Sequence, residues 1–351
     1  MKHILIKILL TILIFAMVIP FAASCTKNNE SEANSNTTSA EAPIEYGDPD
    51  PELQINISAL NGTTALGMAK MINDSETDNM NYNISLHTSA DTVTGPIVSG
   101  ECAIAALPTN VAVRLFNKSQ GKIQLLALNT LGVLYLIQGA GENITSLEQL
   151  RGKTVYVPGA GANPEYITAA LLTKAGLKVG EDVTIDATSY SSPDALVAAV
   201  AKGDAKLAVL PEPKVSATTA QNQAITVALN LTDEWEKQYG QNTLVQGCLV
   251  VNTEFAKAHP AEIAQFLKDY KASVEFIKAG SDEAINMIVN ATILPKAAIA
   301  KKALPNCNLC YFAGEDMKTV MNEFCSAIYA YDNASIAKMP TDDFYYVSPI
   351  K

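Results

Sequence analysis

The sequence is poor in arginine, histidine and tryptophan. Arg114 and Arg151 are its only arginines, it has three histidines, and Trp235 stands alone. Lysine and arginine together number 25 against 36 acidic residues, a net charge of −11. Phosphate backbones need a basic surface, so a general nucleic-acid binder is excluded. There is no Gly-X-Y period and no sustained heptad, which excludes collagen and coiled coil. Only one long apolar run occurs, at the N-terminus, which excludes a multi-span membrane protein. G-x-S-x-G, H-E-x-x-H and P-loop patterns are missing. Beyond the leader only His87 and His259 are available as imidazole bases, so catalysis finds little support. His259 reads as surface and His87 as the end of a strand. Gly139-Ala-Gly141 and Gly159-Ala-Gly161 do not complete a dinucleotide fingerprint, and no cofactor is expected. Cysteine is sparse. Cys307-Asn-Leu-Cys310 has no second CxxC and no nearby histidine to complete a zinc set, so no metal is expected. Two small apolar residues, or a local disulfide, remain.

What is present starts with a leader. Lys2, His3 and Lys7 precede an uncharged run from Ile8 to Ala23, 16 residues long. That is short of the roughly 20 residues a spanning helix needs, and it ends in small residues, so residues 1–24 are expected to be a cleaved secretory signal. Ala22-Ala23-Ser24-Cys25 resembles the lipobox of bacterial lipoproteins, with Ala22 where Leu is usual and Ser24 where Gly or Ala is usual. The resemblance implies that Cys25 is lipidated and anchors the chain outside the cell membrane, since more than one acyl chain holds stably where a single one does not. Loss of Lys2 and Lys7 takes the net charge to −13. Residues 26–50 are rich in Asn, Ser, Thr, Glu and Pro and are expected, with Cys25, to be a flexible tether.

From residue 51 the chain alternates strand and helix, the pattern of α/β layers with mostly parallel strands. Leu53–Leu60 alternates as a strand and is followed by Asn61-Gly62-Thr63-Thr64 and a helical segment. Asn83–His87 and Cys102–Leu107 read as strands, the latter running through Pro108 into a helix. Ile123–Ile137 reads as two strands of a buried sheet. A second series follows: Lys153–Val157, a loop, a helix opened by Pro164, Val183–Asp186, a helix capped by Ser192-Pro193, Ala205–Leu210, then Leu244–Val251. Beyond Pro260 the chain is mostly helical. Met68, Met71, Met287 and Met321 fall at helical spacing and read as core; Trp235 reads as packing.

Five segments carry a resemblance: LNGTTALGMAKM, CAIAALPTNVAVRLFNK, SLEQLRGKTVYVPGAGANPEYITAALLTKAGL, LAVLPEPKVS and CLVVNTEFAKAHPAEIAQFLKDY. In their order and spacing, over roughly residues 52–330, the chain resembles a type II extracytoplasmic substrate-binding protein of an ABC importer. It is similar to the branch serving nitrate, sulfonate, taurine and thiamine-precursor uptake. The resemblance implies a two-lobed periplasmic-binding-protein fold, each lobe a mostly parallel sheet flanked by helices. Lobe one would be residues 51–138 plus 249–351 and lobe two 139–248, with hinge crossovers near Gly139 and Gly247. It further implies a monomer that closes on a small-molecule solute and hands it to permease and ATPase subunits. An enzyme on the same fold, of pyrimidine-precursor or menaquinone-pathway type, and a sensory lipoprotein are the alternatives.

In open α/β sheets ligands bind beyond the carboxyl ends of strands. Four loops take that place: Asn61, Gly62, Thr63 and Thr64; Pro108, Thr109 and Asn110; Gly159, Ala160, Gly161 and Asn163; and Pro211–Pro213 with Glu212. All but the last clearly feed helix N-termini, whose free N–H groups receive anions or polar groups. Threonine and asparagine also cap helices with no ligand involved. Glu212 would pair with a ligand amine or be solvated. Tyr135, Glu165, Tyr166 and Gln246 are expected wall residues. The four loops contain no arginine, which argues against a doubly charged anion; Arg114 and Arg151 look helical and peripheral.

Overall fold

A computed structural model describes residues 47–77 and 80–349. The expected signal, Cys25 and nearly all of the tether lie outside the described residues. The end of the tether does not: the backbone N–H of Asp50 donates to Glu262 Oε1 at 3.1 Å, so the folded part begins earlier than residue 51.

Apolar runs of strand length build two sheets. The first contains β1 (Ile55–Leu60), β2 (Tyr82–His87), β3 (Ile104–Pro108), β4 (Ile123–Leu131), β10 (Val245–Asn252) and β11 (Leu309–Phe312). Its order is β11-β4-β10-β3-β1-β2. The second contains β5 (Leu134–Gln138), β6 (Thr154–Tyr156), β7 (Thr184–Asp186), β8 (Leu207–Pro211) and β9 (Thr226–Asn230), in the order β7-β6-β8-β5-β9. Within the first sheet β1 to β4 share one direction, while β10 and β11 oppose it. Within the second, β6 to β9 share one direction and β5 opposes it. Most strands of each sheet therefore run in parallel. The opposed central strands, β10 and β5, are those that enter each lobe after the chain has passed from the other. Every residue of β10 is buried, as a central strand covered on both faces must be.

The change of lobe falls elsewhere than the sequence suggests. It lies between Leu131 and Leu134, and again between helix Leu231–Tyr239 and Val245, not at Gly139 and Gly247. The limits 51–138 plus 249–351 and 139–248 shift accordingly, since β5 sits between β8 and β9 and β10 sits between β3 and β4. Strands β4 and β5 form one nearly continuous apolar stretch, and hydrophobicity does not mark the point where one sheet ends. Gly132 marks it: a Cβ there would overlap Thr232 Oγ1 and lie 2.6 Å from Leu244 Cδ2.

Local chemistry explains the helix limits. Ser192 Oγ accepts from Ala195 N and starts helix Pro193–Lys202. The helix after β1 is broken into Thr63–Leu66 and Ala69–Thr77. At the break, Gly67 lies so close to helix Pro260–Lys278 that a Cβ would stand 2.6 Å from Tyr270 Oη, and its carbonyl accepts from Ser273 Oγ at 2.6 Å. Met68, Met71 and Met321 are buried in the core, while Met287 is half-buried. Trp235 is fully buried; its Nε1–H donates to Thr243 Oγ1 at 2.9 Å and its ring stacks on Tyr239. It also lies 5.9 Å from Phe324 of helix Gly314–Tyr331, so one apolar core runs through both lobes. Cys307 and Cys310 are buried free thiols. Burial raises both, Cys310 to about 12, so neither is a reactive thiolate.

Candidate functional site

The seam between the sheets is lined from both sides by strand ends and the turns that follow them. On the lobe-one side, β3 runs through Pro108 into helix Thr109–Ser119. On the lobe-two side, β6 runs through the Gly159–Ala162 turn into helix Asn163–Lys174. The two helix starts meet. Thr109 Oγ–H donates to Val245 O at 2.8 Å, and Asn163 Nδ2 donates to Thr109 Oγ1 at 3.2 Å. Asn110 Nδ2 and Arg114 Nη1 both donate to the carbonyl of Gly161, at 3.4 and 3.3 Å.

The network continues along the crossovers. Gln246 Oε1 accepts from Val133 N at 2.7 Å, and Val133 O accepts from Glu212 N at 2.9 Å. Beyond Glu212 a second bridge crosses the seam. Lys302 Nζ, at the end of helix Ala297–Ala303, donates to Thr219 Oγ1 at 2.8 Å, and Tyr135 Oη donates to Asn306 O at 3.3 Å. Thr109, Asn110, Gly161, Asn163, Gln246, Glu212 and Tyr135 are thus brought into one connected region. Thr63 and Thr64 join its edge, where Thr64 O accepts from Asn129 Nδ2 at 3.0 Å. Beside them, a Cβ on Gly247 would stand 2.5 Å from Asn129 Oδ1, so only glycine fits. Asn61 and Ala160 are exposed, and Gly62, Pro108 and Gly159 are half-exposed on the same face.

Several expectations are corrected by these contacts. The loops are not open anion receptors at the N–H groups of Gly62, Gly161 and Ser216. Asn61 Oδ1 accepts from Gly62 N at 2.8 Å, Glu165 Oε2 from Gly161 N at 2.6 Å, and Glu212 Oε2 from Ser216 N at 3.0 Å. Glu165 therefore closes its own turn rather than standing free as a wall. Glu212 is 3 % exposed, so it is not solvated. It caps helix Lys214–Gln221, with Ser216 Oγ–H on its other oxygen at 2.8 Å, so the fourth loop also feeds a helix. Burial raises its pKa, opposed by the two Ser216 bonds and by Lys302. Arg114 is not peripheral but half-buried at the seam, whereas Arg151 pairs with Asp182 on the surface.

Asn110 is 1 % exposed and Asn163 4 %. The Oδ1 atoms of both are buried with no hydrogen-bond partner among the described residues. Such atoms are rare in native proteins and each calls for an explanation. Sequence reasoning missed Arg114, Asn129, Ser216, Lys302 and Asn306. Arg114 carried a signal, since it follows Asn110 by four residues on one helix face. Lys302 reaches a partner 83 residues away, and no local pattern reports that. Among the described residues no group of three or more His, Cys, Asp or Glu side chains is placed to hold a metal ion.

Two mixed sheets, two crossovers and a polar seam at the strand ends define a two-lobed periplasmic-binding-protein fold. The chain belongs to the family described as ABC transporter, phosphonate, periplasmic substrate-binding protein, which matches residues 75–282. It is therefore a substrate-binding protein of an ABC transporter, extracytoplasmic, with a small-molecule ligand and ABC permease partners. No curated protein matches the sequence. Among solved structures, an ABC transporter protein from Parabacteroides distasonis is 21% identical, with a TM-score of 0.70 over 84% of this chain and 99% of that one. The periplasmic aliphatic sulphonate binding protein SsuA of Escherichia coli is 14% identical, with a TM-score of 0.66 over 83% and 90%. The alkanesulfonate-binding protein SsuA of Xanthomonas axonopodis pv. citri, bound to MOPS, is 14% identical, with a TM-score of 0.62 over 84% and 96%.

Proposed function

We propose that the protein captures one small solute in the seam between its lobes, closes on it by a hinge motion at residues 131–134 and 239–245, and presents the closed form to a permease. The protein acts as a monomer, held at the membrane by lipidated Cys25. The observation that carries this reading is the network of Thr109, Asn110, Gly161 and Asn163, drawn from both lobes and ending in two buried carboxamide oxygens without partners among the described residues. A ligand held there touches both lobes at once, which is what lets binding energy drive closure. Solute capture without turnover fits a site whose acids Glu165 and Glu212 are already engaged by backbone N–H groups.

A thermal-shift screen of residues 26–351 tests the reading. A ligand at about 100 times its dissociation constant adds about 2.7 kcal/mol, several degrees for a domain of this size. The binding compound should emerge chemically unchanged. Turnover would mean an enzyme instead, and failure of every small molecule to bind would remove the solute-binding role. The anchor is tested separately: Cys25→Ser should release the protein from the membrane fraction, and a variant that stays bound would refute lipidation at that residue.

A further inference from the structure

We propose that the seam selects a solute presenting N–H or O–H donors, a neutral or cationic nitrogen compound, rather than a fully deprotonated oxyanion. The inference rests on the solute-binding reading above and concerns the Oδ1 atoms of Asn110 and Asn163, which have no partner among the described residues.

The orientation of each carboxamide follows from its neighbours. Asn110 faces the Gly161 carbonyl, which only accepts, so the group turned toward it is Nδ2. Asn163 faces Thr109 Oγ1, whose hydrogen is directed to Val245 O, so it too must present Nδ2. Both Oδ1 atoms are therefore left as acceptors, and both are buried. An acceptor withdrawn from water costs free energy unless a donor reaches it. An oxyanion supplies none and would face two carbonyl-type oxygens of like partial charge. An amine, amide or ring N–H supplies what is missing.

Charge around the seam points the same way. Several groups an anion would use are already engaged: Gly161 N by Glu165, Ser216 N by Glu212, one N–H of Arg114 by Gly161 O, and one of Lys302 by Thr219 Oγ1. The two cations are offset by Glu165 and Glu212, leaving no surplus positive charge to attract an oxyanion.

Calorimetry and thermal shift on the mature chain with two probe sets decide the matter. The donor set is cytosine, nicotinamide and ethanolamine; the oxyanion set is methylphosphonate, ethanesulfonate and nitrate. We expect binding from the donor set only, weakened about tenfold or more by Asn110→Ala. The circular dichroism and melting temperature of ligand-free Asn110→Ala guard against misfolding: a folded alanine variant that binds the donor set as tightly as the parent overturns the inference. Binding confined to the oxyanion set overturns the inference and leaves the solute-binding reading standing. Silence from both sets counts against both.

Discussion

At the scale of single residues, the tightest constraints fall on glycines that no turn requires. Gly132 is buried at the first crossover and Gly247 inside β10, past the second, and neither has a positive φ. What they supply is space. Gly132→Ala places a methyl against Thr232 Oγ1 and Leu244, and overpacking of this kind costs about 1–3 kcal/mol. The variant should melt several degrees lower in calorimetry. Thr232 Oγ1 has no hydrogen-bond partner among the described residues, so Thr232→Ala alone should cost little, and in its background Gly132→Ala should cost less. Equal costs in both backgrounds would show that crowding at Thr232 is not the cause. The sequence singled out Gly247 and passed over Gly132, because crowding depends on residues 100 or more positions away. It singled out Thr109, Asn110 and Asn163 for a reason local enough to see, namely that each lies where a strand turns into a helix. What it could not show is which of their atoms are already engaged.

At the scale of elements, the fold was legible wherever periodicity was clean. Strand β1, the Ser192 cap and the helix containing Pro164 fall where the pattern puts them. Strands β9 and β11 and helix Asp91–Ser99 carried no signal strong enough to assign, being short or, for the helix, interrupted by Pro96. Helix Lys214–Gln221 was hidden behind two prolines, and its start depends on the buried carboxylate of Glu212. That dependence has a pH signature. Burial raises the folded-state pKa of Glu212 above its ordinary value of 4.5, so the folded protein holds this proton more tightly than the unfolded chain. The stability contributed by protonation is therefore present below about pH 4.5 and is lost as pH rises through the folded pKa. Glu212→Gln removes the titration while keeping an acceptor oxygen for Ser216. The melting temperature of the parent minus that of the variant should fall as pH is raised from about 4 to 7. A difference that grows over that range would mean the carboxylate form is the stabilising one.

At the scale of the whole molecule, the two lobes are held together at opposite ends of the seam by a small number of hydrogen bonds. Arg114 and Asn110 reach Gly161 at one end, and Lys302 reaches Thr219 at the other. A net contribution of about 0.5–1.5 kcal/mol per bond is enough to shift an open–closed equilibrium severalfold, yet far too little to hold the lobes shut against every fluctuation. Such a balance suits a carrier that must open to load and stay closed once loaded. The larger apolar contact between Trp235 and Phe324 ties helix Gly314–Tyr331 to both lobes and limits how far they part. Arg114→Met with Lys302→Met removes one charged bridge from each end while retaining most of the side-chain bulk. In solution scattering without ligand, the double variant should have a larger radius of gyration than the parent. A saturating ligand should bring the two to the same smaller value, at a weaker apparent affinity for the variant, because more of the binding energy goes into closure. If parent and variant scatter alike without ligand, these bridges do not set the balance. If ligand leaves the radius unchanged in both, closure is not how this protein signals that it is loaded.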